Sequence, residues 1–459
     1  MKRLGIGVFL FVIALIPRLY KLDLMEYNSD QIWSQYQVSQ FYSHPQIIMT
    51  GLVSSIGVTN APLFHYLLII LNFFSKNPYY VTLSVAFINA FSIGIFYVLL
   101  KRFYKKHVIF IAALLWSFSP WMILYSRSIW AQSLLPPFVV LFLYFLHRLM
   151  QDNDTTVSGY LTMLLLLIFQ LHPSGVYLLI LTLCLFYWIK PRFDLLKALA
   201  GLVIGIIPAL PFVYYEITSK PICPDCRALI SYASISRVFD VNILIRPFQL
   251  AGGLFFEYVL GQSYDPFLNQ FPALRMVNLI FTLESLFLLI GLMTFFSYRK
   301  TIAFAVFYFI GFSLLYLITK TPSYMHYFII IAPFIFILTA QGIVNSCLYI
   351  KHRFQQSTAI VLPLLFICAN IYFVAAFVAY LNVNRYTLGT YGLVFAQKEA
   401  YVTLQTGQYK TLPYYHSIET MAYLILDEGA LHAKLGEYFA QKKNIDAALS
   451  EYDKAEKLK

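Results

Sequence analysis

The chain begins with an apolar run, LGIGVFLFVIALIP at residues 4–17, followed directly by RLYKLDLMEYNSDQIWSQYQ at residues 18–37. The second stretch carries Asp23, Glu26 and Asp30, and acids are scarce here, with 21 Asp and Glu among 459 residues. Because Lys2 and Arg3 precede the apolar run, it is predicted to cross a membrane outward and to deliver the acids to the far side. A cluster of acids at a membrane edge indicates a reactive site, and our hypothesis is that Asp30 is its reactive group.

The composition is that of a membrane protein with many spans. Hydrophobic residues make up 60% of the chain, charged residues 12%, and the mean hydropathy is +0.69. An ordinary globular domain is about half apolar and a quarter charged. The net charge of +12 does not indicate nucleic-acid binding, because Lys and Arg lie in short clusters between apolar runs, as in cytoplasmic loops. We therefore expect an all-α polytopic protein of the cell membrane.

The apolar runs and basic clusters together predict about eleven transmembrane helices. Lys2 and Arg3 place the N-terminus in the cytoplasm. An odd number of spans then places the C-terminus outside. The run at 62–74 is short for a span, so residues 31–76 are predicted to form a large external loop with helices on the membrane surface. The predicted spans are 4–19, 79–100, 108–124, a fourth ending near 147, 160–171, 176–189, 198–214, 277–296, 302–317, 328–350 and 360–381.

The end of the chain differs in character from the rest. Residues 1–381 are predicted as the transmembrane domain, 382–427 as an extracytoplasmic linker and 428–459 as a charged helical hairpin. Six hairpin positions fall at the spacings of one tetratricopeptide repeat: Leu435, Gly436, Phe439, Ala448, Tyr452 and Ala455. A single repeat cannot bury its own face, so it is expected to dock on the membrane domain or on a protein partner. A generic amphipathic hairpin is the competing interpretation.

The external segment at 216–275 contains a CxxC, Cys223-Pro-Asp-Cys226. With no second CxxC it is weak support for a zinc site. In an external loop, a local disulfide or a plain turn is the better interpretation. The same segment has a semi-apolar patch at 248–260, which is predicted to form a half-buried or re-entrant helix.

Ten polar residues fall at the predicted outer ends of the spans. Taken singly, each is more often a solvated loop residue. Together they share one side of the membrane, and several adjoin Pro or aromatic residues, as a lined pocket requires. The set is Asp30, His65, Arg127, His172, Glu216, Arg227, Lys320, Tyr324, His326 and Tyr327.

This set matches the needs of sugar transfer from a polyprenyl phosphate. Phosphate is already a good leaving group, so one base for the acceptor hydroxyl suffices, whereas a glycosidase needs two carboxyls. The charge that develops on the phosphate needs cations or a divalent metal ion. On this hypothesis Asp30 is the base. The donor phosphate is bound by Arg127, Arg227 and Lys320, and the substrate by His65, His172, Glu216, Tyr324, His326 and Tyr327.

The order of several short motifs resembles that of GT-C glycosyltransferases, especially protein O-mannosyltransferases and aminoarabinose lipid A transferases. Residues 18–40, with Arg-Leu-Tyr and then Asp30, resemble the first external loop of that group. Residues 60–66 resemble its Pro-Pro-Leu-aromatic segment, and residues 119–127 its Pro…Ser-Arg element. Later stretches at 170–174, 211–216 and 326–342 resemble outer span ends and a late Tyr-Phe…Pro…Ala-Gly span. The resemblance covers about residues 5–350.

The resemblance implies that Asp30 is a general base and that Arg127 binds the lipid phosphate. The acidic pair of many members reads Asp30-Gln31 here, which leaves a paired-acid role or a metal site in question. A second departure is that Pro-Pro becomes Ala-Pro at residues 61–62. The residues that could hold a metal ion instead are His65, His172 and Glu216. Asp23 and Glu26 are predicted to be solvated or structural loop acids.

The predicted function is an inverting membrane glycosyltransferase. It would move a sugar from a polyprenyl-phosphate donor to a hydroxyl of a protein, lipid or glycan on the extracytoplasmic face. A transporter or flippase for lipid-linked sugars would favour ionisable residues within spans and internal repeats, and the sequence shows little of either. Two further hypotheses are a polymerase or ligase with large outer loops and an inactive scaffold that displays the hairpin.

Overall fold

The computed structural model describes residues 2–54, 57–219, 222–226, 239–293, 300–348, 352–396 and 445–457, together with 433, 436 and 440. Within these ranges the chain forms helices and isolated β-bridges, so the all-α prediction is confirmed. The α-helices are α1 (Lys2–Leu19), α2 (Ser29–Ser43), α3 (Leu63–Leu71), α4 (Pro78–Leu100), α5 (Lys106–Phe118), α6 (Pro120–Ser126), α7 (Leu135–Asp152), α8 (Ser158–Leu171), α9 (Gly175–Ile189), α10 (Leu195–Ile206), α11 (Leu210–Thr218), α12 (Asn242–Ala251), α13 (Glu257–Leu260), α14 (Tyr264–Gln270), α15 (Leu274–Met293), α16 (Lys300–Ile318), α17 (Ala332–Leu348), α18 (His352–Asn384) and α19 (Ile445–Lys457).

Among the described residues, seven helices are long and apolar enough to cross a membrane, and the bent pair α5–α6 would make an eighth. Three shorter apolar helices, Leu4–Leu19, Thr155–Leu171 and Gly175–Ile189, coincide with predicted spans. The prediction of a multi-pass membrane protein is therefore confirmed. The total of eleven spans and the orientation of the termini stay predictions.

The centre of the domain is the segment Met325–Leu348, whose most apolar window is wholly buried. Its helix α17 packs against α5, α15, α16 and α18. Membrane helices associate through close packing, because lipid tails are as apolar as the helices themselves. A Cβ at Gly342 would overlap the carbonyl oxygen of Phe287, and one at Gly291 would overlap that of Leu338. Helices α15 and α17 therefore touch backbone to backbone.

The bend between α5 and α6 measures 61° and follows from Pro120. Proline has no N–H, so the carbonyl of Trp116, one turn earlier, has no helical partner. Arg18 at the end of α1 is completely buried and takes that place. Its Nη2 donates to the Trp116 carbonyl at 3.5 Å and its Nη1 to the Ser117 carbonyl at 2.8 Å. Arg18 thereby anchors the C-terminal end of α1 to the bend.

The predicted first external loop, residues 31–76, contains most of α2 and all of α3, so the prediction of helices there is confirmed. The side of the membrane on which the loop lies stays a prediction. Helix α2 carries three polar side chains that are fully buried, Gln31, Ser34 and Gln35. The Gln31 side-chain oxygen accepts a hydrogen bond from the backbone N–H of Ile129 at 3.0 Å. Helix α3 packs against α2, α4 and α8. The Gln31 hydrogen bond holds the first turn of α2 next to the turn that follows α6.

Residues 385–396, at the start of the predicted linker, fold back onto the transmembrane domain. Glu26 and Val394 form an antiparallel bridge, and the Tyr391 hydroxyl donates to the Leu24 carbonyl at 2.6 Å. The returning segment therefore packs against the stretch that follows α1.

Near the C-terminus, α19 contains two buried small residues, Ala448 and Ala455. The rest of the predicted hairpin lies largely outside the described residues, so the tetratricopeptide repeat stays a prediction.

Candidate active site

A cavity of about 220 Å³ lies beside the first turn of α2. Its walls come from parts of the chain that are far apart in sequence. The lining residues are Glu26, Asn28, Asp30, Leu124, Tyr125, Trp130, Tyr258, Val259, His326, Thr390 and Tyr391.

Asp30 is the acidic residue in the first turn of α2, where a helix N-terminus favours negative charge. Its side chain is exposed to the cavity. The surrounding protein nevertheless displaces part of the bulk water, and this desolvation raises the pKa of Asp30 above its ordinary value. A carboxylate with a raised pKa and direct access to a cavity has the properties of a general base.

Glu26 brings a second carboxyl group to the same cavity. Its side chain is only 8% exposed, which agrees with a structural loop acid and not with a solvated one, the two roles predicted for it. The Asn28 side-chain amide donates to Glu26 Oε1 at 2.7 Å and to the Thr390 carbonyl at 2.8 Å. Burial, with Tyr324 and Glu26 as further causes, raises the pKa of Tyr258, which also lines the cavity. The two hydrogen bonds of the Asn28 amide hold Glu26 in a fixed position facing the cavity.

His326 stands at the centre of an aromatic cluster. Its ring lies 4.9 Å from Trp130, 5.6 Å from Tyr324 in a stacked arrangement and 4.5 Å from Tyr327 at a right angle. Tyr327 in turn lies 5.0 Å from His172. The structure thus brings together four predicted site residues, and one of them, His326, lines the cavity itself.

Arg246 is a cation that the sequence interpretation missed, because it lies in the unclear segment after Glu216. Its guanidinium stacks 3.7 Å from the Phe255 ring, and its Nε donates to the Ser323 carbonyl at 3.0 Å. Phe255 stacks on the cavity residue Tyr258 at 5.9 Å. Lys320 belongs to the same loop as Ser323. None of the described residues lining the cavity is Lys or Arg, and Arg246 stands at its edge through Phe255 and Tyr258. Lys320 lies over the Phe239 ring at 5.0 Å.

Arg127 lies behind the cavity wall. It is 5% exposed, and its Nη2 donates to the Lys21 carbonyl at 2.5 Å. Its charge acts on Tyr391, a lining residue. Arg127 therefore braces the start of the first loop, and its contact with a phosphate stays a prediction. Arg227 lies outside the described residues, and so does its predicted role.

The three candidate metal ligands are not brought together. Within the described ranges, no three His, Cys, Asp or Glu side chains form a group that could hold a metal ion. His65 is completely buried in α3, and its ring nitrogens make no hydrogen bond there. Burial lowers the pKa of His65 to about 4, so the ring is neutral. His172 hydrogen-bonds to Ser174, and Glu216 accepts from the Asp225 backbone N–H at 3.3 Å.

A second cavity, of about 310 Å³, lies between α3, α4 and the start of α7 and is wholly apolar. We call this second cavity the apolar groove. It shares no lining residue with the polar cavity, and its Leu134 lies four residues after the polar-cavity residue Trp130. Its lining residues are Leu67, Ile70, Leu71, Ile88, Leu134, Pro137, Phe138 and Leu141.

Comparison with known proteins identifies the fold. No family model and no curated protein matches the chain. Among solved structures, ArnT from Cupriavidus metallidurans bound to undecaprenyl phosphate matches with a TM-score of 0.51 and 13% identity, over 98% of this chain and 75% of that one. The chain has the fold of this ArnT structure. The apo state of the same ArnT matches with a TM-score of 0.50 and 12% identity, over 98% and 74%. An oligosaccharyltransferase from Archaeoglobus fulgidus in the apo form gives 0.48 and 12%, over 89% and 58%, which is too weak to support an argument.

In this fold the short motifs that carry the resemblance come together. Arg18 bonds the carbonyls of Trp116 and Ser117, directly before the stretch 119–127, at the bend between α5 and α6. Asp30, Tyr125 and His326, each from a different motif, line one cavity. At 13% identity the likeness to ArnT establishes the fold alone.

Proposed function

We propose that this protein is a membrane glycosyltransferase that uses a polyprenyl-phosphate sugar donor on the extracytoplasmic face. The observation that carries the proposal is a small acidic and aromatic cavity with Asp30 on its wall, in a domain that also holds a wholly apolar groove beside α3. The fold match to an ArnT structure bound to undecaprenyl phosphate supports a donor of this lipid class. The acceptor is a hydroxyl of a protein, lipid or glycan.

Asp30 acts as the general base in a single displacement. The acceptor oxygen attacks the anomeric carbon, and its proton passes to the Asp30 carboxylate. The bond between that carbon and the phosphate oxygen breaks, and the phosphate leaves with the electron pair. The configuration at the anomeric carbon is therefore inverted. A phosphate leaving group needs no proton, so one base is enough.

Glu26 takes a different role from Asp30, as an acceptor of hydrogen bonds from sugar hydroxyls. Asn28 occupies Glu26 Oε1 and fixes the carboxylate against the cavity. Rings on the remaining walls, such as Tyr125, Trp130 and Tyr258, supply apolar faces. A few fixed polar groups among aromatic side chains are typical of small-ligand sites.

The donor phosphate lies at the cavity edge beside Arg246 and Lys320. Two carboxyl groups inside the cavity disfavour a phosphate there, because like charges repel. Arg246 keeps Nη2 available, since Nε and Nη1 donate to Ser323 and Gln249. Lys320 is one of the phosphate ligands predicted from the sequence, and Arg246 is a further phosphate ligand that we propose. The polyprenyl tail then follows the apolar groove beside α3.

Arg246→Ala and Lys320→Ala are each expected to weaken binding of undecaprenyl phosphate by about tenfold or more, because a hydrogen bond to a charged group contributes about 1.5–3 kcal/mol. The measurement is an equilibrium titration of the lipid phosphate into the full-length protein in nanodiscs. Arg275→Ala is the matched control, because Arg275 is an exposed cation bonded to Asn269 and does not line the cavity. Unchanged affinity in both test variants would remove this edge from the phosphate site, and an equal loss in the control would indicate a general charge effect.

The transfer rate is expected to fall on acidification at a pH above the ordinary Asp pKa of about 3.9. Only the ionised carboxylate accepts a proton, and desolvation raises the pKa of Asp30. The same shift means that the folded state holds this proton more tightly than the unfolded chain does. Its contribution to stability therefore decreases as the pH rises from the unfolded pKa to the folded one. A profile of kcat/KM against pH tests the expectation, and an acid limb at or below about pH 3.9 would contradict it.

A further inference from the structure

The CxxC loop, residues 222–226, connects two external parts of the protein. Cys223 and Cys226 form a disulfide, and the acid between them, Asp225, is 8% exposed. Asp225 Oδ2 accepts a hydrogen bond from the backbone N–H of Thr59 at 3.0 Å. Thr59 belongs to the first external loop, between α2 with Asp30 and α3. The residue enclosed by the disulfide is thus the contact to the loop that carries the candidate base.

The partner of Asp225 is itself part of an ordered turn. Thr59 and Val53 form an antiparallel bridge, and the Gly51 N–H donates to the Asn60 carbonyl at 2.7 Å. A backbone N–H in such a turn points outward at a fixed place. The carboxylate of Asp225 therefore binds a preformed donor and does not organise the turn.

The other side of the CxxC loop is fixed to α11. The Cys223 N–H donates to the Glu216 carbonyl at 2.7 Å, and the Asp225 N–H donates to Glu216 Oε2 at 3.3 Å. Cys223 has a φ of +53°, a left-handed conformation that residues with a Cβ adopt only when their surroundings hold them. The covalent link to Cys226 is one such constraint. Breaking it lets Cys223 relax and removes the restraint on the direction of Asp225.

We propose that the Cys223–Cys226 disulfide is a thiol–disulfide exchange site for an external dithiol, and that its reduction releases the Asp225–Thr59 contact between the CxxC loop and the first loop. Cys226 is exposed and Cys223 is half-buried, so Sγ of Cys226 is the accessible point of attack. This inference does not rest on the proposed sugar transfer.

The exchange is balanced in two steps. A thiolate of the dithiol attacks Sγ of Cys226, the S–S bond breaks, and Cys223 leaves as a thiolate that takes up a proton. The second thiolate of the reductant then attacks the mixed disulfide and displaces Cys226, which is protonated in turn. The cysteine pair gains two electrons and two protons, and the dithiol becomes a disulfide.

The test is hydrogen exchange at the Thr59 amide, followed by mass spectrometry on the full-length protein in nanodiscs with dithiothreitol as the dithiol. Reduction is expected to accelerate this exchange by about tenfold, the effect of losing one hydrogen bond to a charged group. Removing dithiothreitol and adding oxidised glutathione should restore the slow rate. Thiol alkylation shows in parallel whether Cys223 and Cys226 are oxidised or reduced.

Two variants separate the disulfide from the carboxylate. Cys223→Ser with Cys226→Ser should exchange at the fast rate with or without dithiothreitol. Asp225→Ala should exchange fast with its disulfide intact, and reduction should add nothing. The proposal is overturned if the Thr59 rate is unchanged in fully reduced wild-type protein, if both cysteines alkylate without reductant, or if reduction still accelerates exchange in Asp225→Ala.

Discussion

Asp30→Asn is expected to lower the rate of sugar transfer from a polyprenyl-phosphate donor by about 10²–10⁴-fold, the usual contribution of a positioned acid or base. The amide keeps the size and shape of the side chain but cannot accept the acceptor proton. Asp30 faces the cavity, and its carboxylate has no partner among the described side chains. The substitution therefore breaks no hydrogen bond between Asp30 and another described side chain. Donor affinity and folded yield should therefore stay near the wild-type values while kcat falls.

The measurement is single-turnover transfer with protein in nanodiscs, accompanied by lipid binding and a thermal unfolding curve. Asp23→Asn is the matched control, because Asp23 lies in the same stretch and does not line the cavity. Its rate should stay within a fewfold of wild type. Wild-type transfer by Asp30→Asn in folded protein would refute the role of Asp30 as base. An equal loss in both variants would point to charge in the first loop and away from proton transfer.

Gly342→Ala is expected to destabilise the membrane domain by about 1–3 kcal/mol or more, the usual range for overpacking. The added methyl would overlap the Phe287 carbonyl oxygen, a backbone atom that cannot rotate away. Helices α15 and α17 must therefore separate and lose packing along their contact. Since α17 is at the centre of the domain, the loss should appear as a lower midpoint of thermal unfolding and a smaller folded fraction in detergent.

Gly5→Ala provides the control for this substitution. Both glycines lie in apolar helices, and both variants gain one methyl group, but a Cβ at Gly5 meets no atom within 4 Å. Its stability should be equal to wild type or slightly higher, because Ala favours a helix over Gly. An unfolding midpoint for Gly342→Ala that equals that of Gly5→Ala would contradict the backbone contact between α15 and α17.

Several features of this protein follow from local sequence alone. The alternation of apolar runs with basic clusters predicted a polytopic helical protein, because a membrane requires long apolar helices whatever their neighbours are. The same reasoning indicated helices in the first external loop. It also placed Asp30 just beyond the first span, and the structure places that residue at the start of a helix and on the cavity wall.

Only the tertiary structure decided which other groups share that cavity. The sequence left open whether Glu26 is a solvated or a structural acid. The structure buries it, and the Asn28 amide links it to the Thr390 carbonyl in a segment predicted as a linker. Arg246 reaches the cavity edge only through its stack on Phe255. In contrast, Arg127 has the right residue type but points to the Lys21 carbonyl. Periodicity and charge determine where a helix lies in a membrane. The burial and partners of a polar side chain depend on contacts between residues far apart in the chain, which only the folded arrangement brings together.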